Sequence, residues 1–101
     1  MKNLVISSSV MQKLLTRHHV SREEIIECFF NRTHKCLIDD REDHRSDPPT
    51  EWFISQTDKG RTLKIVFIML DGRVHLRTAF EPKDGSDVIF FRHSKPDPDL
   101  S

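Results

Sequence analysis

The sequence predicts a small two-layer α+β domain. Two N-terminal helices pack on an antiparallel sheet of three to four strands, and a short helix closes the chain. Three observations predict this. Thr62 to Phe80 holds two β-rich runs either side of Asp71-Gly72, the dipeptide that favours a two-residue type I′ hairpin. Ser21-Arg22-Glu23-Glu24 precedes Ile25, Ile26, Phe29 and Phe30, a capping-box helix start with an apolar stripe behind it. The chain has 101 residues, 36% hydrophobic and 32% charged, enough for one core and not two.

In chain order, Leu4-Val5-Ile6 is β-prone and short, an edge strand. Ser7-Ser8-Ser9 offers a helix cap, and Val10, Met11, Leu14 and Leu15 recur at helical spacing. Lys13, Arg17 and His18 fall where cations complement the end of that helix. His19-Val20 joins it to the second helix, with Val20 placed to staple against Ile25 and the helix ending near Asn31-Arg32. Lys35–Asp39 reads as a strand, and Asp40–Pro49 as a long polar surface loop. Glu51–Thr57 is the next strand, turned by Asp58-Lys59-Gly60-Arg61 into the central hairpin. Ser86 or Asp87 caps a short helix through Phe91. Residues 1–93 form one domain, and residues 94–101, with two prolines, read as a disordered tail.

Strict alternation from the Asp71-Gly72 turn sets Met69 against Val74, Phe67 against Leu76, Ile65 against Thr78 and Leu63 against Phe80. This is the core side, with Trp52 and Ile54 in the core as well. The other side takes Lys64, Val66, Ile68, Arg73, His75, Arg77 and Ala79, joined by Phe53. Apolar groups among cations there call for a cover: the C-terminal Phe90-Phe91, a partner protein or a second copy of the chain.

Sixteen basic residues balance sixteen acidic ones, so bulk charge singles out neither nucleic acid nor membrane. The distribution is uneven. Thr33 to Gly60 nets −3 and Arg61 to Lys95 nets +3, which makes the sheet half basic. No apolar run is long enough to span a bilayer, and the short run Leu4–Ile6 is no signal peptide. A cytoplasmic protein with Cys28 and Cys36 as free thiols is expected. The spacing of Cys28, His34, Cys36 and His44 matches no common zinc motif, and no metal or other cofactor is expected.

Short motifs connect this chain to a known group. Arg17-His18-His19-Val20-Ser21 with Glu23-Glu24 is similar to a Lys-His-Gly-Val-Ser helix start. Asp40-Arg41 with Arg45 is similar to a charged segment before middle strands. Arg77-Thr78-Ala79 lies where an Ile-Ser-Ala-Arg run is usual. Through these the chain, over roughly residues 12 to 91, resembles the BrnT-like toxins of the RelE-like ribonuclease toxin superfamily. The resemblance implies a RelE/BrnT-like α+β fold, RNA as substrate and a cognate antitoxin as partner. The group's glycine is His19 here, its arginine after Ser-Ala is Phe80, and this chain has no tyrosine. Small bacterial proteins of this appearance also carry the name ADP-ribosyl-(dinitrogen reductase) hydrolase. Enzymes of that reaction are much larger helical proteins that bind magnesium through several aspartates, and this chain has neither that length nor those helices.

A metal-independent ribonuclease needs a base for the 2′-hydroxyl, an acid for the leaving oxygen, and cations for the crowded phosphate. Lys64, His75 and Arg77 are the candidates on the open sheet side. Arg41 and His44 are candidates on the loop, with Arg45 near them and Arg61 at the sheet's edge. Histidine suits proton transfer near neutral pH. The plainer reading is that alternating Lys, His and Arg are the solvated side of an antiparallel sheet. The function expected is a toxin-type endoribonuclease or an inactive descendant. The alternative is a non-catalytic interaction module on the same scaffold, with a homodimer as one arrangement.

Overall fold

The computed structural model describes residues 1–39 and 47–100. β1 is Leu4–Val5, α1 is Ser8–Lys13, and α1 runs straight into a π-helical turn over Leu14–His18. α2 is Arg22–Phe30, β2 Leu37–Ile38, β3 Thr50–Gln56, β4 Thr62–Leu70, β5 Arg73–Phe80 and α3 Ser86–His93. A 3₁₀ turn follows at Pro98–Leu100. The α+β class is as expected, but the sheet is larger and mixed. Its five strands run in the order β1-β5-β4-β3-β2. β1 lies parallel to β5, with Leu4 beside Val74 and Val5 beside His75. The remaining neighbours are antiparallel.

Local chemistry starts the first two helices where the sequence places them, whereas α3 corrects the expected Ser86 or Asp87 cap: its N-cap is Gly85, at φ 82° and with no side-chain cap bond. Ser7 Oγ accepts from Val10 N–H to cap α1. Ser21 Oγ accepts from Glu24 N–H at 3.1 Å, and Glu24 Oε1 accepts from Ser21 N–H at 3.1 Å. This reciprocal pair satisfies two donors that a helix start leaves over. Val20 and Ile25, the two ends of the staple, are both wholly buried. The stripe of α2 differs by one position from the expected one. Cys28 is buried, whereas Phe30 is 75% exposed. Phe29 packs edge-on against Phe53 and Phe67 at 4.9 and 5.5 Å between ring centroids.

The hairpin turn forms as expected. Asp71 and Gly72 both have positive φ, 55° and 73°, and Leu70 pairs with Arg73. Met69 meets Val74 and Phe67 meets Leu76, but a β-bulge then breaks the alternation. Val66 pairs with Thr78, so Arg77 is an extra residue on β5. Beyond the bulge the expected faces are exchanged. Ala79 pairs with Ile65 and is fully buried under the helices, and Phe80 pairs with Lys64 on the other face. A bulge inserts one residue opposite a single partner step and so resets the period of two. β3 also corrects the expectation, with a regular register. Phe53 pairs with Ile65 and lies in the helix-side core, while Trp52 and Ile54 pair with Val66 and Lys64 on the far face.

α3 makes the third layer. Phe90, fully buried, packs against Trp52 with ring centroids 5.6 Å apart, which puts α3 on the face away from α1 and α2. The predicted two layers become three because the far side of β3 is apolar and needs covering. Residues 94–100 correct the expectation of a disordered tail. Lys35 N–H donates to Lys95 C=O and Asp97 N–H to Thr33 C=O, at 2.9 and 3.0 Å. Ser94 Oγ donates to Lys35 C=O, and Arg32 pairs with Asp97 at 3.7 Å. These bonds tie the C-terminal segment to the strand-like stretch before β2.

Candidate functional site: the far face of the sheet

α3 covers the β3 side of the far face and leaves the β4–β5 side open. On that open part lie Lys64, Val66 and Ile68 from β4 and His75, Thr78 and Phe80 from β5, all half-buried. Arg77 is exposed at the bulge. Three of the five site residues expected from the sequence, Lys64, His75 and Arg77, are therefore placed on or beside one surface. They do not converge on one point. Lys64 is opposite Phe80, and His75 is opposite Ile68, four residues further along β4. At about 3.3 Å per residue that is roughly 13 Å of sheet. Arg77 is two residues from His75. Arg41 and His44 lie outside the described residues, as does Arg45. The chain leaves the described part at Asp39, whose N–H donates to Thr50 C=O. Thr50 pairs with Ile68, so this exit is at the His75 end of the sheet.

Lys64 is held by aromatic rings. Its Nζ lies 4.4 Å from the ring centroid of Trp52 and 5.7 Å from that of Phe80. Phe80 also touches the imidazole of His18, with centroids 5.7 Å apart. The result is a row across the sheet: His18, Phe80, Lys64, Trp52, Phe90. Each cation–π contact contributes about 0.5–2 kcal/mol, and together they fix an ammonium group on a side chain that is otherwise flexible. Sequence pattern does not reveal this row. A period of two cannot register the bulge that moves Phe80 across, and Trp52, on a strand without a bulge, also lies opposite to the side expected of it.

Two grooves open beside the row and meet at Asp84. The first, about 470 Å³, lies between α3 and the β2–β3 edge and includes Leu37, Ile38, Trp52, Lys64, Ile89 and His93. The second, about 600 Å³, includes Arg17, His18, His19, Phe80 and Lys83. Asp84 Oδ1 accepts from both the hydroxyl and the N–H of Ser86. These two bonds hold its carboxyl below the usual range. A third groove, about 480 Å³, lies at the far end of β3 beside Asn31, Ser55, Gln56 and Asp58.

Arg61 belongs to the scaffold and not to the open face. Its Nε donates to Glu81 at 2.6 Å, Nη1 to Glu24 and to His19 C=O, and Nη2 to His18 C=O at 2.9 Å. It thus caps the π turn and braces the capping box of α2. Bonding to Glu81 leads the causes that raise its pKa. Burial works to raise Glu24, but the Ser21 N–H and the Arg61 guanidinium outweigh it and lower its pKa.

Both cysteines are free. Burial pushes Cys28 up to about 12 and Cys36 up to about 11, so neither is a thiolate nucleophile at neutral pH. No cluster of three metal-ligating side chains occurs among the described residues. None of their helices is long and apolar enough to cross a membrane. What the fold and this surface define is an α+β domain with a partly open, cation-bearing sheet face. Comparison with protein-family models, curated proteins and solved structures found no match.

Proposed function

We propose that this chain is a toxin-type, metal-independent endoribonuclease of a bacterial toxin–antitoxin pair, or a descendant of one, acting in the cytoplasm on single-stranded RNA. The observation that carries the reading is the half-covered sheet. α3 closes the β3 side, while Lys64, His75 and Arg77 stay at the surface of the β4–β5 side. The resemblance to BrnT-like toxins gains support at one position. Where that group has glycine, this chain has His19 with φ 53° and ψ 45°, the left-handed conformation that glycine adopts freely.

In this reading His75 takes the proton of a ribose 2′-hydroxyl. The 2′-oxygen attacks the adjacent phosphorus, the bond to the 5′-oxygen breaks, and a 2′,3′-cyclic phosphate forms. Arg77, two residues away, stabilises the crowded phosphate. His44 returns a proton to the leaving 5′-oxygen, with Arg41 as a further cation. Lys64 is too far along the sheet for the same phosphate and holds a neighbouring one.

Induced expression tests this: growth and total RNA are followed for wild type, Arg77→Ala and Lys64→Ala. Growth arrest with RNA loss, relieved by Arg77→Ala, is the expected outcome. Intact RNA with purified protein, and identical growth of all three strains, would sink the proposal.

A second reading, a non-catalytic interaction module, is favoured by α3, which leaves Val88, Ile89 and Phe91 about half exposed. A neighbouring small reading frame for a DNA-binding antitoxin argues for the toxin, and its absence for the module.

A further inference from the structure

The row on the far face joins two grooves, one with mainly apolar walls and one richer in cations. The groove under α3 has apolar walls, Leu37, Ile38, Ile89 and the indole of Trp52, with the carboxylates of Asp39 and Asp84 at its edge. Such a cleft accepts a flat ring against the indole, with the Lys64 ammonium in the same lining for the phosphate that ring carries. The groove beyond Phe80 is richer in cations. Arg17 and Lys83 line it with His18 and His19, beside the carboxylates of Glu81 and Asp84. Neither Arg17 nor Lys83 has a carboxylate within ion-pair distance among the described residues. The guanidinium of Arg61 already belongs to Glu24 and Glu81. Between the two grooves stands the Lys64 ammonium, fixed by Trp52 and Phe80.

From this juxtaposition we propose that the two grooves form one binding track for single-stranded RNA. A base lodges in the Trp52 groove, its own phosphate meets Lys64, and the next phosphate enters the Arg17–Lys83 groove. Aromatic faces interleaved with cations are the means by which single strands are held without sequence readout. The track rests on RNA being the substrate. It adds a place to bind RNA at the end of the sheet away from His75, so cleavage and holding occupy different parts of the same face. It also gives Lys64 a role in phosphate binding that does not require it to reach the reacting bond.

The only tryptophan in the chain is Trp52, so its fluorescence reports the base groove directly. The full-length protein is titrated with a short 2′-O-methyl oligoribonucleotide, which cannot be cleaved at the 2′ position, at several salt concentrations. A saturable change in emission is expected. The double variant R17A/K83A should retain the wild-type circular dichroism spectrum and emission. It should bind about tenfold or more weakly at low salt. Its plot of log affinity against log salt should be shallower by about 0.7 for each phosphate it no longer neutralises.

Unchanged emission on adding oligonucleotide overturns the track. So does equal binding by wild type and the double variant, and so does saturation by ADP-ribose alone with no response to the oligonucleotide. The cleavage reading is tested separately. Binding without RNA loss in cells keeps the track and removes the nuclease. RNA loss without any Trp52 response does the opposite.

Discussion

Ser55 shows how one side chain can work against its surroundings. It pairs with Leu63 in the sheet, is 6% exposed, and its Oγ has no hydrogen-bond partner among the described residues. A buried hydroxyl without a partner costs about 1–3 kcal/mol. Ser55→Ala removes the oxygen and leaves nearly the same volume, so it should raise stability by about 1 kcal/mol in chemical denaturation. An unchanged midpoint would mean that water satisfies the hydroxyl through the adjoining groove. Lys64 is the contrasting case. Its charge is legible in the sequence, but its fixed position depends on two rings from different strands. The sequence also identifies Arg61 as a cation at the sheet's edge. It does not show that two glutamates and two helix carbonyls already engage it.

Two elements are set by geometry that local pattern does not carry. The π turn after α1 ends at His19, a non-glycine residue in the left-handed region. That conformation costs a residue with a Cβ about 1 kcal/mol or more. His19→Gly relieves this but gains freedom in the unfolded chain. A net stabilisation of about 0.5 kcal/mol is expected, measured by thermal or urea unfolding; a clear loss would show that the imidazole itself contributes. The bulge at Arg77 is the second case. The Asp71-Gly72 turn correctly sets the register of Met69, Phe67, Val74 and Leu76. One inserted residue then exchanges the faces of Thr78, Ala79 and Phe80. The C-terminal segment likewise reads as polar and proline-broken. It is nonetheless ordered, because residues 33 and 35 offer backbone partners 59 or more positions away in the chain.

At the scale of the molecule, Arg61 links four segments: the β3–β4 turn, the end of the π turn, the start of α2 and the residue after β5. Arg61→Ala should cost about 2 kcal/mol at neutral pH, since hydrogen bonds to charged groups contribute about 1.5–3 kcal/mol each and the side chain is partly solvated. Arg61→Lys should not restore it, because an ammonium group lacks the planar fork. The pH dependence has a definite sign. Glu24 has a lowered folded-state pKa, so its contribution is present above the ordinary carboxylate value of about 4.3 and fades as pH falls through the lowered one. Arg61→Ala should therefore show less acid sensitivity than wild type below about pH 4.3 in denaturation series. Equal acid sensitivity would remove the Glu24–Arg61 pair as its source.

The sequence alone determined the α+β class, the I′ hairpin, the capping box of α2 and the presence of cations on one sheet surface. Each is written in neighbouring residues: a turn dipeptide, a Ser–Glu spacing, an alternation. Only the tertiary structure decided the parallel pairing of β1, the bulge, the third layer made by α3 and the row that fixes Lys64. These arise where segments far apart in the chain compete to cover the same apolar surface, and local pattern holds no record of which one wins.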